Sequence, residues 1–565
     1  MKTNDSHQAP PMRRLIFLLL LPAALAAQAA DLVLRNTTIY TVNTKAPNAQ
    51  AVAVKDGKVV YVGSDAGVAK FVGASTRSID LNGRFVFPGF VDSHAHFTGI
   101  GQREMTLNFE GTRTKEAFLA RIDSAVKRAK PGDWVTGRGW IETFWSPPVF
   151  PTRQDLDRIA PNNPVVLTRA DGHASIANSA ALRLAKVTNR TPVPSGGAIN
   201  MDRDGEPTGM LIDHAQGLVL GIVPSPTEAD RERALQLASE RELSLGWTQV
   251  HDANGSWAEV ERMRKLYREG RIKIRIYKTI SGPGSAADRL IAQGPGTPEL
   301  NDRFDVRAIK LVMDGALGSR GAALLEPYSD DVTNVGLITM DTVAAKDMLR
   351  RALKAGIQVW IHAIGDRGNR LTLNLYEGAF KAVPVAQRKI ADPRWRDEHS
   401  QIVSPADLVR FKQLGIIPSM QPSHAIGDLF FVPSRIGLER TKGAYAWQTF
   451  LSMGLPVAGG TDAPVERGEP MIEFYAAVAR KSLDGKSGPG WHPEEKVTRE
   501  QALKMFTWNG AYAAFEETRH GSIEVGKAAD FTVFDQDIMK VPEAQILKTK
   551  NVMTIVGGEI VFGGK

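Results

Sequence analysis

Between residues 85 and 464, eight short apolar strand candidates alternate with helical patterns, and that alternation is the signature of a parallel α/β fold. The candidates are FVFPGFVDSHAH (85–96), WTQVHDA (247–253), IKIRIYKTI (272–280), VRAIKLVMDG (306–315), QVWIHAIGD (358–366), WRDEHSQ (395–401), IIPSMQPSH (416–424) and PVAGGTDAP (456–464). Nearly all of them carry a histidine, lysine or aspartate at or near the C-terminal end. A TIM (β/α)8 barrel builds its active site from those ends, each strand contributing a group or two. The 565 residues are enough for such a barrel and one or two smaller domains.

The predicted fold class is therefore α/β: a TIM (β/α)8 barrel over residues 85–518 with two additions. An inserted subdomain is expected at about 100–240, because the gap after the first barrel strand exceeds an ordinary crossover. A small β-sandwich domain is expected from both chain ends, 30–84 and 519–565. Its expected strands lie in runs such as DLVLRNTTIYTVN, AQAVAVKDGKVVYVG and NVMTIVGGEIVFGGK, β-rich segments broken by Asn, Asp and Gly turns.

Residues 1–29 read as a secretory signal peptide: a basic start, the apolar stretch LIFLLLLPAALAAQAA, and an A-x-A site at Ala27 and Ala29. An uncleaved anchor is the alternative, and no other stretch approaches a transmembrane span. The expected location is periplasmic or secreted, with no stable membrane span after cleavage. With no cysteine, the chain has no disulfide, no thiolate ligand and no cysteine nucleophile, so a metal would be held by N and O donors. The formal charge is +8, of which Lys2, Arg13, Arg14 and Asp5 of the leader supply +2. Spread without a basic block, that charge does not argue for a nucleic-acid partner.

The first strand ends in His94 and His96. Residues i and i+2 of a strand share a face, so both imidazoles can reach one point, and neutral imidazole is the commonest side-chain metal ligand. Taken alone, the H-x-H spacing is equally compatible with two ordinary polar residues.

The strand ends in order give His94, His96, Lys310, His362, His399 and Asp462. This set resembles the metal-dependent amidohydrolase superfamily, in particular the amidohydrolase family 3 branch with N-substituted formamide deformylase-like and YtcJ-like proteins. The resemblance runs through PGFVDSHAH, RADGHASIAN, KLVMDGALGSR, HAIGD, DEHSQIVSPADLVRF, SMQPSH, GGTDAPVE and GSIEVGKAADFTVFD. It implies that His94 and His96 bind the more buried metal and that His362 and His399 bind a second. It implies that Asp462 touches the metal and hydrogen-bonds the hydrolytic water, and that Lys310 is carbamylated by CO2 and bridges two metals. The bland readings are an ion pair of Lys310 with Asp314, a helix cap at Asp462, and core imidazoles at His362 and His399. The motif departs from the family in Thr461, where serine is common.

One or two divalent ions per chain are expected, with Zn2+ as the default for these donors and manganese, iron or nickel fitting the same set. A divalent metal lowers the pKa of bound water from about 15.7 toward 7 and polarises a carbonyl. Asp462 is the expected proton shuttle, taking the water's proton to the departing nitrogen. The expected activity is metal-dependent hydrolysis of amide-type C–N bonds in N-acyl or N-formyl amines, including cyclic amides. Ester, lactone or phosphotriester hydrolysis, or a non-catalytic periplasmic binding or regulatory role, are the alternatives. The partner is a small molecule, and a homo-oligomer is compatible with the sequence. Four further residues are candidate substrate contacts: His173 in the inserted segment, Arg320 as a carboxylate clamp or a partner of Glu326, and His251 and His424 at strand ends. Trp140 and Trp145 read either as an apolar wall over the site or as buried packing.

Overall fold

The computed structural model describes residues 1–2, 29–142, 145–147, 149–169, 174–194, 197–318, 320–485 and 487–564. The expected leader therefore falls almost wholly outside the described residues, as does His173. Among the described residues no helix is long and apolar enough to cross a membrane.

Eight parallel strands lie side by side in sequence order. They are β1 (Phe90–Ala95), β2 (Trp247–Asp252), β3 (Arg275–Ser281), β4 (Phe304–Val312), β5 (Gln358–Ala363), β6 (Arg396–His399), β7 (Ile417–Met420) and β8 (Ala458–Gly459). Each falls within or overlaps one of the eight candidates. β1, β2, β6 and β7 are buried at every residue, because one face looks into the barrel and the other packs on helices. The seam between β8 and β1 is closed just past the end of β8: Asp462 N donates to His94 O and His96 N to Ala463 O, both at 2.7 Å. Gly460 permits that approach, since a Cβ there would lie 2.5 Å from His94 N.

Helices cover the outside for reasons visible in the chain. Glu228–Leu245 starts at a capping box made by Thr227 and Asp230 and stops at Gly246, whose φ of 106° suits a residue without a side chain. It buries Leu235, Ala238 and Leu243 in the cluster that also holds Phe90 and Trp247.

One expected strand is two. Residues 85–96 break at Gly89: Phe85–Pro88 pairs with Thr38–Tyr40 and Phe531–Phe534 in the sheet formed by the chain ends, and only Phe90–Ala95 enters the barrel. Both halves are buried, so the apolar run gives no sign of the change of sheet. The chain ends form a four-stranded and a six-stranded sheet whose facing residues, among them Leu34, Val52, Val86, Phe531 and Ile555, share one core. That unit is tied to the start of β3 by Arg275, which donates to Asp530 at 2.8 and 3.0 Å, while His520 bridges Asp530 and Asp302 at 3.0 Å each.

Between β1 and β2 the chain makes a separate six-stranded sheet spanning Leu107 to Asp213. Trp140 and Trp145 pack there with Phe118 at ring distances of 5.9 and 5.4 Å, so they build this subdomain's core and form no wall over the barrel mouth.

Candidate metal centre

The barrel brings the strand-end residues to one place. His94 lies near the end of β1 and His96 just past it, Lys310 lies on β4, His362 on β5, His399 ends β6, and Asp462 follows β8. Asp462 Oδ1 is 3.1 Å from His96 Nε2 and 3.7 Å from His94 Nε2, and Lys310 Nζ is 3.3 Å from His94 Nε2. The His399 ring lies 4.9 Å from that of His94 and 4.4 Å from that of His362, centroid to centroid. Two of these residues have left-handed backbones, His399 with φ 77° and Asp462 with φ 58°. That conformation is costly for a residue with a side chain, and it recurs where a functional group must be aimed off the strand axis.

Burial sets the charge states. It holds the His94 imidazole down to about 4, with Lys310 adding to the effect and Glu398 opposing it. Burial and Lys310 take His362 to about 3, and burial with His362 beside it keeps His399 well below the usual range. Neutral rings keep a lone pair free for a metal. Burial lowers Lys310 to about 8 against the pull of Glu398 and Asp462. Burial opposes charge on Asp462, yet His96, His399 and His94 hold its carboxyl well below the usual range.

A cavity of about 570 Å3 opens over these groups, lined by His96, Lys310, His362, His399, His424 and Asp462 together with apolar Leu317, Phe431 and Val465 and acidic Asp428 and Glu466.

The description of the amidohydrolase family matches residues 77–562. The chain belongs to the amidohydrolase family. YtcJ of Bacillus subtilis is 34% identical, over 93% of this chain and 98% of its own length. The N-substituted formamide deformylase of Arthrobacter pascens is 29% identical, over 95% and 99%. Among solved structures, an uncharacterized metal-dependent hydrolase from Pyrococcus furiosus superposes with a TM-score of 0.71 at 29% identity, over 90% of this chain and 100% of that one. The protein is thus an amidohydrolase by family and a hydrolase by class.

This amidohydrolase's donors fit a divalent metal. His94, His96 and Asp462 offer three ligand atoms within 4.8 Å of one another, and so do His399, His424 and Asp462. His362 Nε2, His424 Nε2 and Asp462 Oδ1 are buried without a well-aligned hydrogen bond, a costly state for polar atoms unless a further group completes them. Other atoms aim the rings. His94 Nδ1 donates to Glu398 Oε2, and His399 Nδ1 lies 2.8 Å from Gln421 Oε1, so in each ring Nε2 is the nitrogen left for a ligand.

The amidohydrolase corrects several expectations. Arg320 is no carboxylate clamp of the cavity: its fork takes Asp330 at 3.1 and 2.9 Å, and Asp330, not Glu326, is its partner. His251 is no substrate contact: it is fully buried in the barrel lumen, outside the cavity lining, with Nδ1 3.0 Å from Arg396 Nη1. Lys310 forms no ion pair with Asp314, whose carboxylate accepts the backbone amides of Ala323, Ile364 and Gly365 at 2.8 to 3.0 Å. His424 sits on the helix Pro422–Asp428 after β7 rather than on a strand, and its ring faces the cavity. Thr461 points away from the cavity and bonds Asp92 Oδ2 at 2.6 Å, so the serine-to-threonine change does not alter the pocket lining.

Sequence reasoning missed Glu398, Gln421, Asp92, Asp428 and Glu466. Glu398 had a signal, since it alternates with Arg396 on a buried strand and precedes a candidate ligand. Glu466 closes the run GGTDAPVE, four residues after Asp462, and so had a weak signal; Asp428 had none, because it reaches the cavity from a segment after β7 whose path only the fold defines.

Proposed function

We propose that this protein hydrolyses amide-type C–N bonds of small N-acyl or N-formyl amines, cyclic amides included. The observation that carries the reading is the convergence of His94, His96, Lys310, His362, His399 and Asp462 beneath one cavity at the C-terminal end of the barrel. The named activity of the Arthrobacter relative supports C–N rather than phosphorus chemistry.

His94, His96 and Asp462 would hold one divalent ion, zinc by the donor types, and His362 and His399 would hold a second, with Lys310 a further ligand once carbamylated. When bound, such an ion would supply Lewis-acid chemistry, lowering the pKa of a water and polarising the scissile carbonyl. Asp462, whose Oδ1 has no well-aligned partner, accepts the proton of the attacking water and returns it to the departing nitrogen, which leaves as a neutral amine. His424, 3.6 Å from Asp462 Oδ2, hydrogen-bonds the bound substrate. As a neutral amine, Lys310 takes up CO2 to give a carbamate and one released proton, changing a poor ligand into an oxygen donor. The leader-like N-terminus supports action in the periplasm or outside the cell.

The test is metal content by elemental analysis of leader-free protein purified without chelator, followed by a matched panel of formamides, acetamides, lactams, esters and phosphotriesters. One or two equivalents with C–N turnover that stops on chelation supports the reading. No metal after reconstitution, or turnover confined to esters or phosphotriesters, removes it.

A further inference from the structure

Beneath the cavity the barrel lumen holds a charge that no metal ligand needs for its own sake. Arg396 is fully buried on β6 and stacks on Trp360 of β5, its guanidinium carbon 3.7 Å from the ring centre. Nε donates to Glu398 Oε1 at 2.6 Å and Nη2 to Glu398 Oε2 at 2.9 Å, a two-point fork. Nη2 also donates to Ser93 O at 2.5 Å and Ser419 Oγ at 2.7 Å, and Nη1 donates to His251 Nδ1 at 3.0 Å. These partners come from β1, β2, β6 and β7, so the guanidinium is held from several directions and has one orientation. Glu398 Oε2 in turn accepts from His94 Nδ1.

We propose that Arg396 is the positioning residue of the metal centre, acting through Glu398 to fix the tautomer and direction of His94. A carboxylate held in a planar fork can only accept from Nδ1, so the ring proton is placed there and the Nε2 lone pair faces Lys310 and Asp462. His251, a strand-end histidine outside the cavity, is explained by the same chain: it accepts from the guanidinium and keeps the fork turned toward Glu398. Strand β6 therefore serves both halves of the site, Glu398 supporting His94 across the lumen and His399 entering the cavity directly.

This inference rests on the metal-hydrolase reading, and the experiment separates the two. Metal-free wild type, Glu398→Gln, Arg396→Lys and the double variant Arg396→Met/Glu398→Leu are compared for zinc affinity by competition with a chromophoric chelator, and for the melting temperature of the metal-free form. The double variant removes both charges together but leaves Ser93 O, Ser419 Oγ and His251 Nδ1 without the guanidinium, so it is expected to melt below the wild type, and its zinc affinity is read at temperatures where the metal-free form is folded. Its zinc affinity, and that of Glu398→Gln, is expected to fall about 10–100-fold, with Arg396→Lys intermediate because a lysine keeps the charge without the fork. A wild type with two equivalents should drop to one, since His362 and His399 do not depend on Glu398. Variants that fold in the metal-free form and bind zinc like the wild type overturn the proposal while leaving the hydrolase reading intact. If the double variant does not fold, Glu398→Gln decides alone. A wild type that takes up no zinc removes the hydrolase reading and this inference together.

Discussion

The backbone amide of Asp462 donates to the carbonyl of His94 at 2.7 Å, and their side chains meet above that bond with Oδ1 3.7 Å from Nε2. The hydrogen bond that closes the barrel is thus also the one that sets the spacing between a histidine and the carboxylate assigned to proton transfer.

Gly460 is where that arrangement is most easily broken. A methyl group there would lie 2.5 Å from His94 N and 3.0 Å from its Cβ, both rigid neighbours. Gly460→Ala is expected to cost about 1–3 kcal/mol by overpacking. Metal binding should weaken with it, measured by denaturant unfolding and chelator competition; wild-type values in both would show that the seam is slack.

Asp462→Asn keeps size and shape and removes the proton acceptor. Turnover of a formamide is expected to fall about 10²–10⁴-fold, the usual worth of a positioned acid–base group. Metal should largely be retained, as His94 and His96 remain, whereas His94→Ala should lose it. Unchanged turnover in the Asn variant would take the proton-transfer role from this residue.

Lys310 can gain CO2 only as a neutral amine. With its pKa lowered to about 8 by burial, the neutral fraction grows as pH rises from 6.5 through 8. Reconstitution of metal-free protein with zinc is therefore expected to be faster with bicarbonate than without it, and more so at pH 8 than at 6.5. Lys310→Ala should abolish the bicarbonate effect. Reconstitution indifferent to bicarbonate at both pH values would exclude the carbamate.

The link between the chain-end sheets and the barrel makes stability depend on pH. Burial opposes charge on His520, but Asp302 and Asp530 raise its pKa above the ordinary value, while Asp530 lies well below its own range despite burial, held there by Arg275 and His520. A raised histidine stabilises fully below about 6.5 and loses that contribution as pH climbs through its folded value. The depressed aspartate stabilises above about 3.9 and loses its contribution as pH falls through its folded value. His520→Asn should therefore cost more at pH 5.5 than at pH 9, by about 1.5–3 kcal/mol for hydrogen bonds to charged groups. Equal costs at both pH values, read from urea unfolding, would mean that His520 is neutral in the fold.

The parts of this protein written in periodicity were legible, and the parts that depend on depth or direction were not. The eight barrel strands could be read because each is a short apolar run ending in a polar group, bounded by helical pattern. The split at Gly89 could not, since strands on either side of it are equally buried. His251 and His362 look alike in sequence, both near a strand end; where each sits along the barrel axis decides that one is sealed in the lumen and the other lines the cavity. Arg320 was misjudged because its partner, Asp330, is brought back by a loop. The aim of His399 and Asp462 rests on left-handed backbone that no residue type in those positions announces.

The seam between β1 and β8 also has a consequence for how the protein is made. A ribosome delivers His94 and His96 early and Asp462 near the end, with the inserted subdomain emerging in between. A trio that needs both edges of the sheet cannot form on a nascent or truncated chain, however well its earlier strands have folded. The complete trio of His94, His96 and Asp462 is therefore assembled only when the last strand closes on the first.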